Sequence, residues 1–128
     1  MKRLLAVIII TISLFTLATY ECISVANINN KLEADVSILY ENFEDDPEHV
    51  SSFTETVKTL KNNWDSKENA LCLMFNHKDL SCITDTFTRL LASVKNNDYD
   101  NAIIEVNLLK EYSEKNRHVM GFNLQNVL

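Results

Sequence analysis

The chain has 128 residues, with one glycine, one proline and a formal net charge of −6, a length that holds one modest domain. So little Gly and Pro excludes turn-rich all-β folds and the glycine loops that cradle nucleotide phosphates. The acidic balance argues against binding DNA, RNA or anionic lipid headgroups, all of which require a basic face.

Lys2 and Arg3 precede an uncharged apolar run, residues 4–20, that ends at Glu21. As a helix this run and its flanks span roughly 26 to 30 Å, enough to cross the hydrocarbon layer of a bilayer. Lys2 and Arg3 can snorkel at one end, and Tyr20 suits the other interface. The flank 21–46 holds seven acidic residues against Lys31 alone. The positive-inside rule then places the N-terminus in the cytoplasm and the remainder outside, as a single-pass protein of the cell membrane. The alternative is a cleaved secretory signal, because Ser24 and Ala26 satisfy the small-residue rule for cleavage after Ala26, which would release a secreted helical factor. Against cleavage, the run is longer than a usual signal core and Glu21 interrupts the approach to the site. The preferred division is a membrane anchor at 1–22 and an extracytoplasmic domain at 23–128. Cys22 follows Thr19, Tyr20 and Glu21, not the small apolar residues of a lipid-attachment site. Setting aside Lys2 and Arg3 leaves ten basic against 18 acidic residues, a balance of −8, which suits a solvated helical surface.

Beyond the anchor, Val25, Ile28, Leu32, Val36, Leu39 and Phe43 recur at steps of three and four, the stripe of an amphipathic helix. No Pro or Gly interrupts residues 4–44, so the anchor is expected to run on into this helix as one rod, with Asn27, Asn29 and Asn30 as its weak point. Asp46, Pro47 and Glu48 then predict a helix start: an N-cap, a proline at the first position and an acid at the positive end of the dipole. Val50, Phe53, Val57, Leu60 and Trp64 follow as a heptad seam of the coiled-coil kind. The apolar stretch 70–75 carries this second helix to a turn at 76–78. A third helix is predicted from near Asp79, with Leu80, Ile83, Phe87, Leu90 and Val94 in its seam and Leu91 widening it. Asn96, Asn97 and Asp98 make the next turn. A fourth helix starts at about Tyr99, turns Tyr99, Ala102, Ile103, Val106, Leu109 and Tyr112 inward, and ends near Asn116. The tail contains Val119, Met120, Phe122, Leu124, Val127 and Leu128, enough apolar surface to dock a short segment. The openings of helices two and four are alike, which either shared capping chemistry or an old helical-hairpin duplication would explain; the former is simpler.

Short connections between amphipathic helices imply antiparallel neighbours. The expected fold is all-α: an N-terminal transmembrane helix followed by an antiparallel up-down bundle of about four helices. Trp64, Phe53 and Phe87 are then packing residues.

Chemistry-bearing residues are sparse. Cys72, His77 and Cys82 form the single soft-ligand cluster, five residues apart at each step, and converge only if a turn brings them together. A Cys72–Cys82 disulfide needs Cα atoms within about 7 Å, closer than most helix packing permits, and two small apolar fillers are the simpler reading. His77 is expected to cap the end of helix two. Ser81 near His77 is the one local nucleophile and base pairing, without a glycine turn for an oxyanion hole. No catalytic, cofactor-binding or metal-binding residue is assigned, and no enzyme is expected.

The whole chain resembles a family known as domain of unknown function 4363, of Gram-positive, often spore-forming bacteria. The resemblance rests on the short basic start, the single apolar span, Trp64 followed by Phe75, His77 and Leu80, a helix containing Ile83 and Leu90, and the acidic turn and helix from Asp98. It implies an anchored extracytoplasmic domain and supplies no activity or site residues. The functional expectation is a membrane-anchored helical interaction or accessory module, attached through residues 4–20, that engages a membrane-protein partner or itself. The alternative is a bundle that senses a small ligand between its helices.

Overall fold

The computed structural model describes residues 1–73 and 75–127, with side chains as far as Arg117. Four α-helices carry the chain: α1 Lys2–Asp45, α2 Thr54–Leu71, α3 His77–Lys95 and α4 Tyr99–Val127. A 3-10 helix, Pro47–Phe53, joins α1 to α2. No strand occurs among the described residues, and the all-α fold expected from the sequence is the one that forms.

The apolar run and the first bundle helix are a single helix of 44 residues. The three asparagines expected to weaken it do not interrupt it, and Asn29 is itself buried. Large apolar side chains along residues 4–20 are exposed, whereas the second half of α1 buries Val25, Asn29, Leu32, Val36, Leu39 and Phe43 at steps of four and three. That step pattern keeps one face toward a partner along its whole length. Ile28, assigned to the stripe from the sequence, is only half-buried and lies beside it.

Helix two does not begin at Pro47. Asp46 makes no side-chain cap bond; its carboxylate meets the His49 ring instead, Oδ1 to Nδ1 at 2.9 Å. His49 has non-helical dihedrals, φ −121° and ψ 39°. With three residues per turn, the 3-10 form puts Val50 and Phe53 on one side. Val50 is fully buried there, and Phe53 packs on Phe43 at a centroid distance of 5.5 Å. The α-helix proper starts at Thr54 and ends at Leu71, short of the expected turn at 76–78. Its buried residues Val57, Trp64 and Leu71 stand seven apart.

The third helix opens two residues earlier than predicted. The Asn76 side chain accepts from the Lys78 N–H at 3.0 Å and caps it, so His77 lies in its first turn rather than at the end of α2. Leu80, Ile83, Phe87, Leu90 and Val94 are all fully buried, as their spacing predicts.

Between α3 and α4, Asn97 adopts a left-handed backbone, φ 54°. Its side chain accepts from the Ser51 N–H and donates to the Glu48 carbonyl, both at 2.9 Å, and so bolts this turn to the 3-10 helix. Asp98 caps α4 by accepting from the Asn101 N–H at 3.1 Å and from its side-chain amide at 2.6 Å. The similar openings of helices two and four therefore fold differently, since only the second is capped. Helix α4 continues to Val127 instead of ending near Asn116; docking by the tail's apolar side chains lies outside the described residues.

The helices pack in the order α1, α4, α3, α2, with α1 and α2 the least engaged of the sequential neighbours. Arg117 with Glu33 (3.6 Å) and Lys110 over the Tyr40 ring (5.6 Å) tie α4 antiparallel to α1. Arg89 joins α3 to Glu105 of α4 at 2.9 Å and also donates to the buried Thr86. The α2–α3 turn consequently returns to the end of the bundle from which residues 4–20 extend, and the 3-10 helix and α3–α4 turn lie at the far end.

Replacing Asn97 by Ala removes two hydrogen bonds and leaves a β-carbon at positive φ without Asn's local bonding, an expected cost of about 2 kcal/mol. Asn97→Gly, which accepts that φ, should cost less. Thermal unfolding of the full chain in detergent, followed by circular dichroism, compares them; equal losses would remove the backbone from the explanation. Hydrogen bonds from Asn101, side chain first and backbone second, hold the Asp98 carboxyl below its ordinary pKa. Stability linked to a lowered pKa is complete above the ordinary carboxylate value and lost as pH falls through the folded one. The expected result of Asp98→Asn is a flatter acid limb in the melting temperature against pH, and an unaltered limb would count against this cap.

Candidate functional site

A groove of about 500 Å³ lies on the side of the bundle where α1 and α2 stand apart. The 3-10 helix joins these two helices at the far end, with Val50 buried and Phe53 packed on Phe43, and α1 and α2 engage each other little along their length. Ile28 and Leu32 of α1 and Leu60 and Trp64 of α2 form its apolar floor. Ser24, Asn27, Lys31 and Asp35 rise along one wall, and Asn63 and Lys67 along the other. Among the described residues neither Lys31, Lys67 nor Asp35 has an ion-pair partner. An apolar floor between rims carrying both signs of charge has the character of a site for an amphipathic partner.

Trp64 is central to both core and groove. It is 3% exposed, and its indole N–H donates to the Thr84 hydroxyl on α3 at 2.8 Å. That bond satisfies the polar edge of a ring whose remaining surface lies among apolar neighbours. The sequence identified Trp64 as a packing residue but gave no sign of the groove. The polar series Ser24, Asn27, Lys31 and Asp35 follows helical spacing along the flank of the α1 stripe, but a solvated helix face shows the same pattern.

The structure brings Cys72 and His77 together across the α2–α3 turn, Sγ to Nδ1 at 3.5 Å. Cys82 lies further along α3, and Cys22, Cys72 and Cys82 are free, half-buried thiols. Among the described residues no group of three or more His, Cys, Asp or Glu side chains converges as a metal site would require. The Ser81 hydroxyl donates to the Lys78 carbonyl at 2.9 Å and is occupied locally. His49 is engaged with Asp46 at the far end of the bundle, and the His118 side chain lies outside the described residues.

A family model for a domain of unknown function, DUF4363, matches residues 19–127. The chain belongs to the DUF4363 family. The matched span starts in the last turn of the apolar segment and takes in both walls of the groove, the α2–α3 turn and the whole bundle. No match was found among the curated proteins or the solved structures.

Trp64→Phe keeps a ring on the groove floor and removes the bond to Thr84, an expected loss of about 1 kcal/mol, whereas Trp64→Ala should cost about 3 to 5 kcal/mol by opening a cavity. Denaturant unfolding of the full chain in detergent measures both. Equal losses would mean that the ring does not fill the space between groove and core.

Proposed function

We propose that this DUF4363 protein is a single-pass membrane protein, N-terminus cytoplasmic, whose extracytoplasmic bundle is a non-catalytic interaction module for another membrane protein. The observation that carries the reading is the continuity of α1. One helix, long and apolar enough to cross a membrane, is uncovered along residues 4–20 and enters the bundle core at Val25 without a break. The hydroxyls of Thr11, Thr16 and Thr19 each donate to the carbonyl four residues earlier at 2.8 Å, so these three side chains are satisfied within the helix, as a hydrocarbon environment favours. Cleavage after Ala26 would cut inside the helix and remove Val25 from the core, which favours a retained anchor.

The groove supplies the module's working surface. It begins at Ser24, one turn beyond Tyr20, so a partner helix leaving the bilayer beside the anchor meets it at once. The occupant that fits is the amphipathic juxtamembrane helix of a neighbouring membrane protein, with its apolar face on Ile28 and Leu60 and its charges on Lys31, Lys67 and Asp35. A photo-crosslinking amino acid at Asn63 in native membranes, compared with one at Thr88 outside the groove, tests this. A single dominant membrane-protein adduct from Asn63 alone is expected. Adducts between two copies would make the module a self-associating one, and monomer at both positions would sink the interaction reading. Topology is checked separately, in a chain with Cys22, Cys72 and Cys82 replaced by Ser, by a membrane-impermeant thiol reagent on right-side-out vesicles: Ser52→Cys should label before lysis and a cysteine inserted after Met1 only after it.

A second reading, a small-ligand sensor, draws on the same groove, whose volume and few polar groups suit a metabolite. Trp64 is the chain's single tryptophan, so saturable changes in its fluorescence during a metabolite screen would favour this reading over a docked helix.

A further inference from the structure

We infer that the α2–α3 turn is a second membrane contact, with Leu73 inserted at the lipid interface so that the bundle is held against the bilayer at two points. The inference rests on the single-pass reading above and adds to it where the bundle touches lipid. Leu71 ends α2 fully buried, and Leu80 opposite it on α3 is fully buried as well; Val25 is the first core residue of α1. These three close the anchor end of the core. The turn between α2 and α3 therefore lies in the layer between the core and residues 4–20.

Leu73 in that turn is 84% exposed, the most exposed large apolar side chain outside the apolar run and Met1. Phe75, two residues on, packs against the core, so the turn is tied down from beneath while Leu73 is left out. Ile23 (57%) and Tyr20 (70%) are exposed on α1 near the same level. Elsewhere on the bundle exposed large apolars are confined, among the described residues, to Ile38 and Ile104. An exposed Leu in water gains nothing, but at the boundary of headgroups and acyl chains it is in the phase it prefers.

Charge points the same way. Glu41, Glu44, Asp45, Glu48 and Asp100 are exposed at or near the far end, where Asp46 and Asp98 also lie. Near the turn, the exposed Lys67 and Lys78 stand against Glu21, Glu68 and Asp79, a balance of −1. An acidic tip is repelled by an anionic leaflet, whereas a near-neutral end with an apolar point is not.

The experiment uses the full chain, with Cys22, Cys72 and Cys82 replaced by Ser, in phosphatidylcholine and phosphatidylglycerol vesicles. An environment-sensitive fluorophore is attached at Leu73→Cys, and separately at Ile8→Cys and at Ser52→Cys on the far end. Brominated acyl chains should quench the probe at 73 nearly as much as that at 8 and several times more than that at 52. Quenching at 8 with none at 73 overturns the inference and leaves the anchor standing; quenching at neither position overturns both. Because the cysteine-free chain can fail to fold, a photo-crosslinking residue at position 73 of the otherwise unaltered protein gives a second measurement. A phospholipid adduct supports the contact, and an adduct with a second copy, or none, overturns it.

Discussion

The stripe Val25, Asn29, Leu32, Val36, Leu39 and Phe43 on α1 is the constraint on which the bundle depends. Five of its six residues are apolar, and each contributes about 1.5 to 3 kcal/mol on full burial. The ion pair that also joins α1 to α4, Arg117 with Glu33, is more than half exposed on the arginine side, and such pairs contribute about 0 to 1 kcal/mol. Packing therefore decides where α4 lies, and the ion pair follows. Helix α4 in turn positions α3 through Val106 and Leu109 against the fully buried series of α3, and α3 positions α2 through Trp64 and Leu71. The chain closes around its core in spatial order α1, α4, α3, α2, with the last helix the least constrained by the first.

That incomplete closure is the source of the groove, and its cause is local. Pro47 lacks an N–H and fixes its own φ, Asp46 gives its carboxylate to His49, and His49 departs from helical dihedrals. The result is a compact wedge that buries Val50 and packs the Phe53 ring, tilted, against Phe43 at the far end of the hairpin. A tight α–α turn would have brought Ile28 and Leu32 into direct contact with Leu60 and Trp64. With the wedge in place these residues are half-buried or line a channel, and the polar flank of α1 faces Asn63 and Lys67 across it. Asn97 locks the wedge to the neighbouring turn, so the spacing is held from both sides.

Much of this was legible in the sequence, for reasons visible in particular residues. The α3 seam was predicted position by position because Leu80, Ile83, Phe87, Leu90 and Val94 are all apolar and their period is unbroken. The turn at 96–98 followed from local chemistry alone. The start of α2 was misplaced because Asp46 and Pro47 satisfy the capping rules while tertiary burial of Val50 and Phe53 favours a tighter helix. Asn29, Thr86, Ser113 and Asn116 are buried although polar, and a search for apolar periodicity passes over such residues. Thr86 shows how burial is tolerated: its hydroxyl donates to the Cys82 carbonyl at 2.6 Å and accepts from Arg89. The groove was not legible, since it arises from what the wedge prevents rather than from any residue type.

The two functional surfaces proposed for this chain share one geometric origin. In an antiparallel bundle fed from a single rod, every second connection returns to the end at which the chain entered. Helix α1 enters from the apolar run, so the α2–α3 turn comes back to that level, and the wedge and the α3–α4 turn are carried away from it. Exposed acidic residues gather at the remote end, and the exposed Leu73 stands at the near one. The α1 wall of the groove is the same helix as the apolar run, with no glycine or proline between them to absorb a change of direction. With residues 4–20 in a bilayer, the distance of the groove from the hydrocarbon layer is fixed by helical register: Ser24 is four residues past Tyr20, about 6 Å at 1.5 Å per residue. On the proposed reading, a partner that spans the same bilayer would meet Lys31, Asp35 and Lys67 at a set height, and its juxtamembrane charges would be matched by register as well as by sign.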